Sequence, residues 1–374
     1  MAPPGHTVTR PSDDGFYLPA EWCRHARTWA AWPTTDPAHA DGLEDLKSAI
    51  AHLVRTVLRY EPVTILATQD DRAEVFNWCG PQVDALTMPH DSVRLRDTGP
   101  TFLVDGKGGS AATDWQFDGW AGQAENWQQD AILTHSLLGE IEVRRFRAPL
   151  KLEGTAYCTD GAGTLIASST AALGDNRNPG VSKLDAFDIL SRWLGVTRVI
   201  WIDEFIGGDS GNCEIRRLCT FVAPGHVIVN QANDDPLRSS LDALADRLAN
   251  TEDARGERLR VERIPMAEKG VHAATYSTFY VFNQAVLVPQ YDLVSDEPAL
   301  NTLKQFFPGR EMIGVDAKIA LDHGASLSSL LQYQPARLLE RHKATLLPRS
   351  AWQRPAPDHI GLLEAYIAKV EEEN

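Results

Sequence analysis

The order of secondary-structure elements constrains the fold of this chain more than any single motif does. A strand, a helix and a second strand are followed by a polar loop containing glycine and then by a hairpin, and this order returns about five times at intervals of roughly 50–65 residues. No sequence identity accompanies the repeat, which is therefore architectural. A repeated ββαβ unit predicts a closed, propeller-like α/β fold whose polar loops converge on one axis, where a ligand site can form.

Hydrophobic periodicity and turn residues predict the individual elements. Helices are predicted near 42–59, 70–78, 126–139, 181–194, 236–249 and 297–306. Strands are predicted over 63–67, 83–88 and 312–315, with hairpins near 101–117, 152–168, 219–230 and 277–290. The last polar loop is predicted over 321–335, where small residues and one histidine, His323, follow a buried strand.

The domain organisation follows from the same pattern. A single α/β domain is predicted over residues 16–335, and residues 1–15, which lack an apolar signal core, are interpreted as a disordered leader of a cytoplasmic protein. Residues 336–374 form an extension whose final helix, 359–373, carries an apolar stripe. This helix either docks on the body or makes a subunit contact, as in a homodimer.

Charge and apolar content exclude some classes of partner. The net charge is −15 and no basic block compensates it, which argues against nucleic acid and anionic membranes. No apolar run approaches the roughly 20 residues that a membrane span needs. The acidic balance mildly favours cationic ligands in acidic clefts, and the expected partner is a small-molecule ligand.

The cysteines indicate neither a disulfide framework nor a zinc site. There are five of them, an odd number at irregular spacing and without a C-x-x-C motif. Each is interpreted first as a small buried side chain. Cys158 and Cys213 are the two considered for a place in a cleft, with a catalytic role for Cys158 the less favoured interpretation.

Polar loops after the predicted strands hold candidate site residues. Asp97 lies at the mouth of a tight turn, next to Arg96, and Arg–Asp pairs are often structural. Trp120 follows a glycine and either stacks on a planar cation or packs in the core. Glu153 leaves an apolar strand immediately before the flexible Gly154.

Several short motifs carry a resemblance to a known family. In order they are YLPAEW (17–22), RDTGPTF (96–102), EG (153–154), NRNP (176–179), TFY (278–280), VP (288–289), FPGR (307–310) and QYQP (332–335). In these motifs the chain resembles the agmatine deiminase and bacterial peptidyl-arginine deiminase family, part of the guanidino-group-modifying superfamily. The resemblance covers about residues 16–335. It implies a five-bladed ββαβ propeller, the pentein fold.

The resemblance also implies a nucleophilic mechanism without a metal or an organic cofactor. In the family a cysteine thiolate attacks the guanidinium carbon, ammonia leaves, and water hydrolyses the covalent intermediate with a histidine as acid and base. Two carboxylates hold the guanidinium through charge-assisted hydrogen bonds. Asp97 and Glu153 match two carboxylates of the family pattern.

The closing loop departs from the family pattern. Counting back from Gln332, the position of the nucleophilic cysteine holds Ser329, and the residue before it is Ser328. The family asparagine is replaced by Ser326, and His323 replaces a glycine.

The histidine and second-carboxylate positions also depart from the pattern. Aligned backwards from Phe221, Glu214 takes the histidine position and Arg216 takes the carboxylate position. Aligned forwards from Asp209, with one residue inserted, the histidine position is Cys213 and the carboxylate position is Ile215. Neither alignment restores the histidine.

A further replacement places Arg94 where the family has a tryptophan, two residues before Arg96. A serine hydroxyl without an adjacent base does not attack a guanidinium at useful rates, because it is far less acidic than a thiol. Arg216 is expected to repel a guanidinium, or to pair with Asp97 or Glu153.

Four functions are compatible with this pattern. The first is a repurposed enzyme that acts on a small guanidino, amino or amide compound in a specialised biosynthetic pathway. The others are a non-catalytic ligand-binding or partner subunit, a genuine agmatine or peptidyl-arginine deiminase of the kind used in putrescine biosynthesis, and a decayed protein without a role. The candidate catalytic residues are Ser329, Glu214, Glu153 and Asp97, and the candidate ligand-binding residues are Arg96, Trp120, Arg216, Arg94, Ser328, His323 and Cys213.

Overall fold

Small sheets of three or four strands organise the chain. The computed structural model describes residues 9–34, 42–203, 214–233, 237–266 and 274–337. The strands are β1 His25–Ala31, β2 Val63–Ala67, β3 Asp84–Thr87, β4 Thr101–Val104, β5 Ser110–Gln116, β6 Arg144–Lys151, β7 Tyr157–Thr159, β8 Thr164–Ser168, β9 Arg198–Ile202, β10 Cys219–Ala223, β11 His226–Gln231, β12 Arg260–Pro265, β13 Tyr280–Phe282, β14 Ala285–Gln290, β15 Glu311–Asp316 and β16 Gln332–Pro335.

The helices connect the strands and vary from one turn to four. They are α1 Leu43–Val57, α2 Arg72–Cys79, α3 Leu95–Thr98, α4 Gly119–Gly122, α5 Asp130–Glu140, α6 Ser169–Leu173, α7 Lys183–Leu194, α8 Leu237–Ala249, α9 Asp296–Phe306, α10 Lys318–Asp322 and α11 Leu327–Leu330. Short 3₁₀ helices lie at Pro11–Asp14, Ile215–Arg217 and Tyr276–Thr278.

Four sheets share one connection rule, with strand orders β4–β5–β6, β7–β8–β9, β10–β11–β12 and β13–β14–β15. The first two strands of each form an antiparallel hairpin, and the third is parallel to the second. A parallel neighbour requires a crossover, which α5, α7, α8 and α9 supply. The recurring ββαβ order predicted from the sequence is confirmed.

The fifth sheet joins the two ends of the described chain. Its order is β16–β1–β2–β3. Strand β16 is antiparallel to β1, with Trp29 opposite Gln332, and β1 is parallel to β2. Its first three strands therefore follow the same rule, although β16 comes from the far end of the described chain, and β3 adds a fourth strand parallel to β2.

The apolar faces of helices and sheets explain why these elements form. Helix α1 buries Leu46, Ile50 and Val54 at helical spacing against Ile65 of β2. Strands β2, β8 and β9 are buried along their whole length, as expected of strands covered on both faces. In the part of the chain that the structure describes, no helix combines the length and apolarity that crossing a membrane requires.

Three predictions about segments need correction or fall outside the described residues. The segment 321–335 is not a single loop, because Ser326 accepts a hydrogen bond from Ser329 N at 3.1 Å and caps α11, after which β16 pairs with β1. Residues 11–14 of the predicted leader form a 3₁₀ helix with a buried Pro11. The final helix predicted over 359–373 lies outside the described residues.

Candidate functional site

Two of the predicted loops meet at Asp97 and Glu153. An added Cβ on Gly154 would lie 2.2 Å from the carbonyl oxygen of Arg96, so only glycine permits this approach. The backbone N–H of Thr155 donates to Asp97 Oδ1 at 3.2 Å, and the Thr155 hydroxyl donates to the same oxygen. The short Glu153-Gly154 motif is therefore a docking point for the loop that carries Asp97.

The carboxylate of Asp97 is paired with an internal guanidinium. Arg94 Nη2 lies 2.8 Å from Asp97 Oδ2, and the Trp120 indole N–H donates to the same oxygen at 3.2 Å. The guanidinium of Arg94 also stacks on the Trp120 ring, 4.5 Å from its centroid. Burial raises the pKa of Asp97, and the Glu214 carboxylate adds to that rise, while Arg94 and Thr155 oppose it.

The indole of Trp120 is held by an unusual turn. Trp120 and Ala121 have φ values of 54° and 63°, in the left-handed region that residues other than glycine rarely adopt. The Asp118 side chain stabilises this turn by accepting a hydrogen bond from Ala121 N at 2.9 Å. Because such backbone is strained, the turn indicates that the position of the indole is imposed by its surroundings.

Glu153 has a carboxyl group suited to proton transfer. Its side chain is 1% exposed, and one oxygen accepts from Arg177 Nη2. The other oxygen, Oε2, has no hydrogen-bond partner within the described ranges. Burial raises the pKa of Glu153 to about 7, with Arg177 opposing the rise and Asp97 adding to it. A carboxyl that titrates near neutral pH can act as a general acid or base.

The Glu153→Gln variant is expected to flatten the pH dependence of stability. The pKa of Glu153 rises from 4.5 to about 7 on folding, so its stabilising contribution is complete below about pH 4.5 and is lost as the pH rises through about 7. The free energy of unfolding of the wild type should therefore fall by up to about 3 kcal/mol between pH 5 and pH 8. The variant should not show this fall. Urea unfolding at both pH values measures this difference.

A surface variant provides the control for this measurement. Glu44→Gln changes a side chain that is 71% exposed and should keep the wild-type pH dependence. Asp130, whose pKa burial also raises to about 7, is unchanged in both variants and contributes equally to all three proteins. An unchanged pH slope in Glu153→Gln would contradict the assignment.

Glu214 accepts hydrogen bonds from the closing segment. Its Oε1 accepts from the Ser326 hydroxyl at 2.6 Å and from the Ser328 hydroxyl at 2.9 Å, while Oε2 accepts from Arg217 Nε at 3.1 Å. Burial by itself would raise the pKa of Glu214, but Arg217, Arg94 and the two hydroxyls outweigh it, so the pKa is lowered. Glu214 therefore stays ionised at neutral pH and is a weak base.

Ser329, which the sequence predicts to stand at the position of the family cysteine, is engaged in a helix cap. Its hydroxyl donates to Ser326 O at 2.8 Å and accepts from Ser326 N at 3.0 Å, and the side chain is completely buried. Arg96 Nε donates to the carbonyl oxygen of the neighbouring Ser328 at 2.6 Å. The segment is thus fixed from both sides.

Two arginines that were predicted to bind the ligand, Arg96 and Arg216, contact the carboxylate of Glu21. Arg96 Nη1 and Arg216 Nη1 both donate to Glu21 Oε2, at 2.7 Å and 2.5 Å. Arg216 is therefore paired with Glu21, and not with Asp97 or Glu153 as expected. Glu21 lies in the YLPAEW motif but is not among the residues predicted for the site, because its partners are far from it in the sequence.

Of the remaining predicted residues, one lies at the end of α10 and one outside the described residues. The ring of His323 contacts Ile319 O at 2.9 Å, at the end of α10. Cys213 lies outside the described residues. The ligand-binding roles of these residues, of Trp120 and of the arginines stay predictions. Within the described ranges, no three His, Cys, Asp or Glu side chains are grouped so that they could hold a metal ion.

Comparison with known proteins relates this arrangement to a family. The family model of the Porphyromonas-type peptidyl-arginine deiminases matches residues 17–335. The agmatine deiminase of Stutzerimonas stutzeri is 30% identical over 365 residues, covering 88% of this chain and 98% of that protein. A Legionella pneumophila (strain Paris) protein, provisionally named an agmatine deiminase, is 32% identical over 337 residues, covering 87% of this chain and 97% of its own length.

Solved structures of the family share the fold. The agmatine deiminase of Enterococcus faecalis superposes with a TM-score of 0.83 at 24% identity, covering 88% of this chain and 99% of that one. Together with the match to the family model, this similarity establishes the α/β pentein fold. The chain belongs to the family of Porphyromonas-type peptidyl-arginine deiminases, with agmatine deiminases among its relatives.

Proposed function

We propose that this chain is a repurposed member of the family that does not hydrolyse guanidines through a cysteine nucleophile. The observation that carries the proposal is the Arg94 guanidinium, which lies 2.8 Å from Asp97 and stacks on Trp120. By resemblance, Asp97 is a carboxylate that holds a substrate guanidinium. A substrate would have to displace a nearly buried internal ion pair to reach it, and breaking such pairs is costly.

The groups at the nucleophile and base positions support the same proposal. The Ser329 hydroxyl is occupied by the cap of α11, and Glu214 is an ionised carboxylate that already accepts three hydrogen bonds. Activating a serine requires an adjacent group that accepts its proton. A carboxylate with a lowered pKa is poorly suited to that task.

Glu153 supports a repurposed enzyme over a purely structural protein. Its pKa of about 7 and its Oε2, which lacks a hydrogen-bond partner among the described residues, suit proton transfer to or from a small polar compound. In this proposal Glu153 is the acid–base group, and the Arg94–Asp97 pair with Trp120 binds the ligand. The substrate is a small guanidino, amino or amide compound of a specialised biosynthetic pathway.

A second candidate is a non-catalytic ligand-binding or partner subunit. It is favoured by the complete burial of Ser328 and Ser329, which keeps both hydroxyls from a reacting group. The two candidates differ in what Glu153 does. In the enzyme, Glu153→Gln abolishes turnover of the true substrate, whereas in the binding protein no turnover exists to lose.

We also propose that the sheets are the five blades of a closed propeller. The shared connection rule and the pairing of β16 with β1 support this arrangement, because they join the ends of the described chain in one sheet. Propellers often hold their ligand sites where the loops of successive blades meet. The cluster around Asp97, Glu153 and Glu214, drawn from three different sheet connections, fits that placement.

The test of the proposed function compares the wild type with Arg94→Trp, which restores the family residue. The wild type should release no ammonia from agmatine or peptidyl-arginine and should not bind agmatine by calorimetry. Arg94→Trp removes the internal guanidinium from Asp97, so its agmatine affinity should exceed the calorimetric upper limit for the wild type by at least about 10-fold, as expected for one charge-assisted hydrogen bond.

Arg144→Trp is the matched control, because Arg144 is 47% exposed and its partner Asp14 is also at the surface. It should leave agmatine binding unchanged. Ammonia release by the wild type at an ordinary enzyme rate would falsify the proposal. A folded Arg94→Trp protein that still fails to bind agmatine would show that Arg94 is not the obstacle at Asp97.

A further inference from the structure

A cavity separate from the Asp97 cluster is lined by two arginines and one carboxylate. It measures about 50 Å³, and its lining includes Glu21, Arg96, Arg216, Cys158 and Trp22. Both guanidinium groups donate to one oxygen of Glu21, Oε2. The other oxygen of Glu21 accepts from Val281 N at 3.0 Å. Both arginines are buried, with 6% and 4% of their surface exposed.

Each of these guanidinium groups retains a donor that is not used. Among the described residues, neither Arg96 Nη2 nor Arg216 Nε has a hydrogen-bond partner, although both atoms are buried. Leaving a buried charged donor unsatisfied is unfavourable. Because both side chains line the same cavity, one acceptor placed there could satisfy both donors.

The charge of the cavity lining is positive. Each guanidinium group contributes one positive charge. Burial opposes ionisation of Glu21, but Arg216 and Arg96 outweigh it and lower its pKa to about 2, so it carries one negative charge. Burial raises the pKa values of Cys158 and Tyr157 to about 12, so both lining groups are neutral. One positive charge is left without compensation.

We propose that this cavity binds one small monovalent inorganic anion, of the halide type, between Arg96 and Arg216. A single negative charge neutralises the lining, and an acceptor without protons suits two opposing donors. The volume is too small for an organic acid and suits an ion or a few water molecules. Trp22 and Cys158 are only partly buried, so the lining extends to residues that solvent can reach.

The resemblance indicates why this site is particular to the chain. In the alignment from Phe221, Arg216 stands where the family has a carboxylate, so the replacement reverses the charge beside Glu21 and Arg96. With a carboxylate at this position the lining would be negative and would repel an anion. The inference does not depend on the proposed function, because it involves neither Glu153 nor the Arg94–Asp97 pair.

Bromide provides a direct test of the site. Crystals soaked in sodium bromide should show an anomalous peak within hydrogen-bonding distance of Arg96 Nη2 and Arg216 Nε. In solution, replacing gluconate by chloride at constant ionic strength should raise Tm saturably, by about 2–4 °C. A cavity that holds only water in bromide-soaked crystals would overturn the proposal.

A neutralising variant makes the solution test specific. Arg216→Gln removes the excess charge and should abolish both the bromide peak and the chloride-dependent shift in Tm. Arg144→Gln, which removes an exposed charge of the same type, should keep both. If Arg216→Gln does not fold, Cys158→Leu fills the same cavity without changing its charge and should abolish the shift. A chloride shift of equal size in the wild type and either cavity variant would reject the site.

Discussion

Replacing Glu21 by glutamine is expected to lower the free energy of unfolding by about 3–5 kcal/mol. The glutamine keeps the shape of the side chain but removes the charge that Arg96 and Arg216 share. Two buried guanidinium groups would then share one neutral partner in place of their common counter-ion. Equilibrium urea unfolding at neutral pH measures the loss, and Glu44→Gln, on an exposed side chain, should cost less than about 1 kcal/mol.

The contribution of Glu21 to the free energy of unfolding should also decrease as the pH falls. The arginines lower the pKa of Glu21 from 4.5 to about 2 in the folded protein, against the opposing effect of burial. A lowered pKa means that the stabilisation is present above about pH 4.5 and is lost as the pH falls through about 2. The difference in stability between the wild type and Glu21→Gln should therefore narrow on acidification. A difference that is constant between pH 7 and pH 3 would contradict this ionic role.

The second large effect is expected for Glu214→Ala, which should also cost about 3–5 kcal/mol. The substitution leaves Arg217 Nε and the hydroxyls of Ser326 and Ser328 without their common acceptor. Because these serines belong to the segment that caps α11, amide exchange in residues 326–330 should accelerate as well. Urea unfolding and hydrogen exchange of the full chain measure the two consequences.

A double-mutant cycle separates the ion pair from general disruption of the core. Arg217→Ala removes the cation that contacts Glu214, and the double variant should be less destabilised than the sum of the two single variants. The expected coupling is about 0.5–3 kcal/mol, as for residues in direct contact. Additive effects would show that Glu214 stabilises the protein through the serines alone.

Glu21 and Glu214 explain how the closing segment around Ser328 is held in place. Glu214 accepts hydrogen bonds from the Ser326 and Ser328 hydroxyls on one side. On the other side Arg96, itself anchored on Glu21, donates to Ser328 O. The neighbouring Ser329 side chain is completely buried.

The sequence by itself determined the elements, their order and the family. Helix α1 and strand β2 lie where periodicity placed them, because an apolar face of period 3.6 or a β-branched run has one favourable way to be buried. The motifs around Asp97 and Glu153 identified the relatives, and the position of Gln332 located Ser329 by simple counting. These features are local, so a single chain is enough to recognise them.

Only the tertiary structure decided which charges are paired. Arg216 was expected beside Asp97 or Glu153, yet it pairs with Glu21, 195 positions away in the sequence, and Asp97 pairs with Arg94. Ion pairing depends on distance in space, and the raised pKa of Glu153 depends first on burial. Neither the distance between two charges in space nor the burial of a side chain can be read from spacing along the chain. The side-chain pairing, and with it the chemistry that the site retains, follows from how the sheets bring distant loops together.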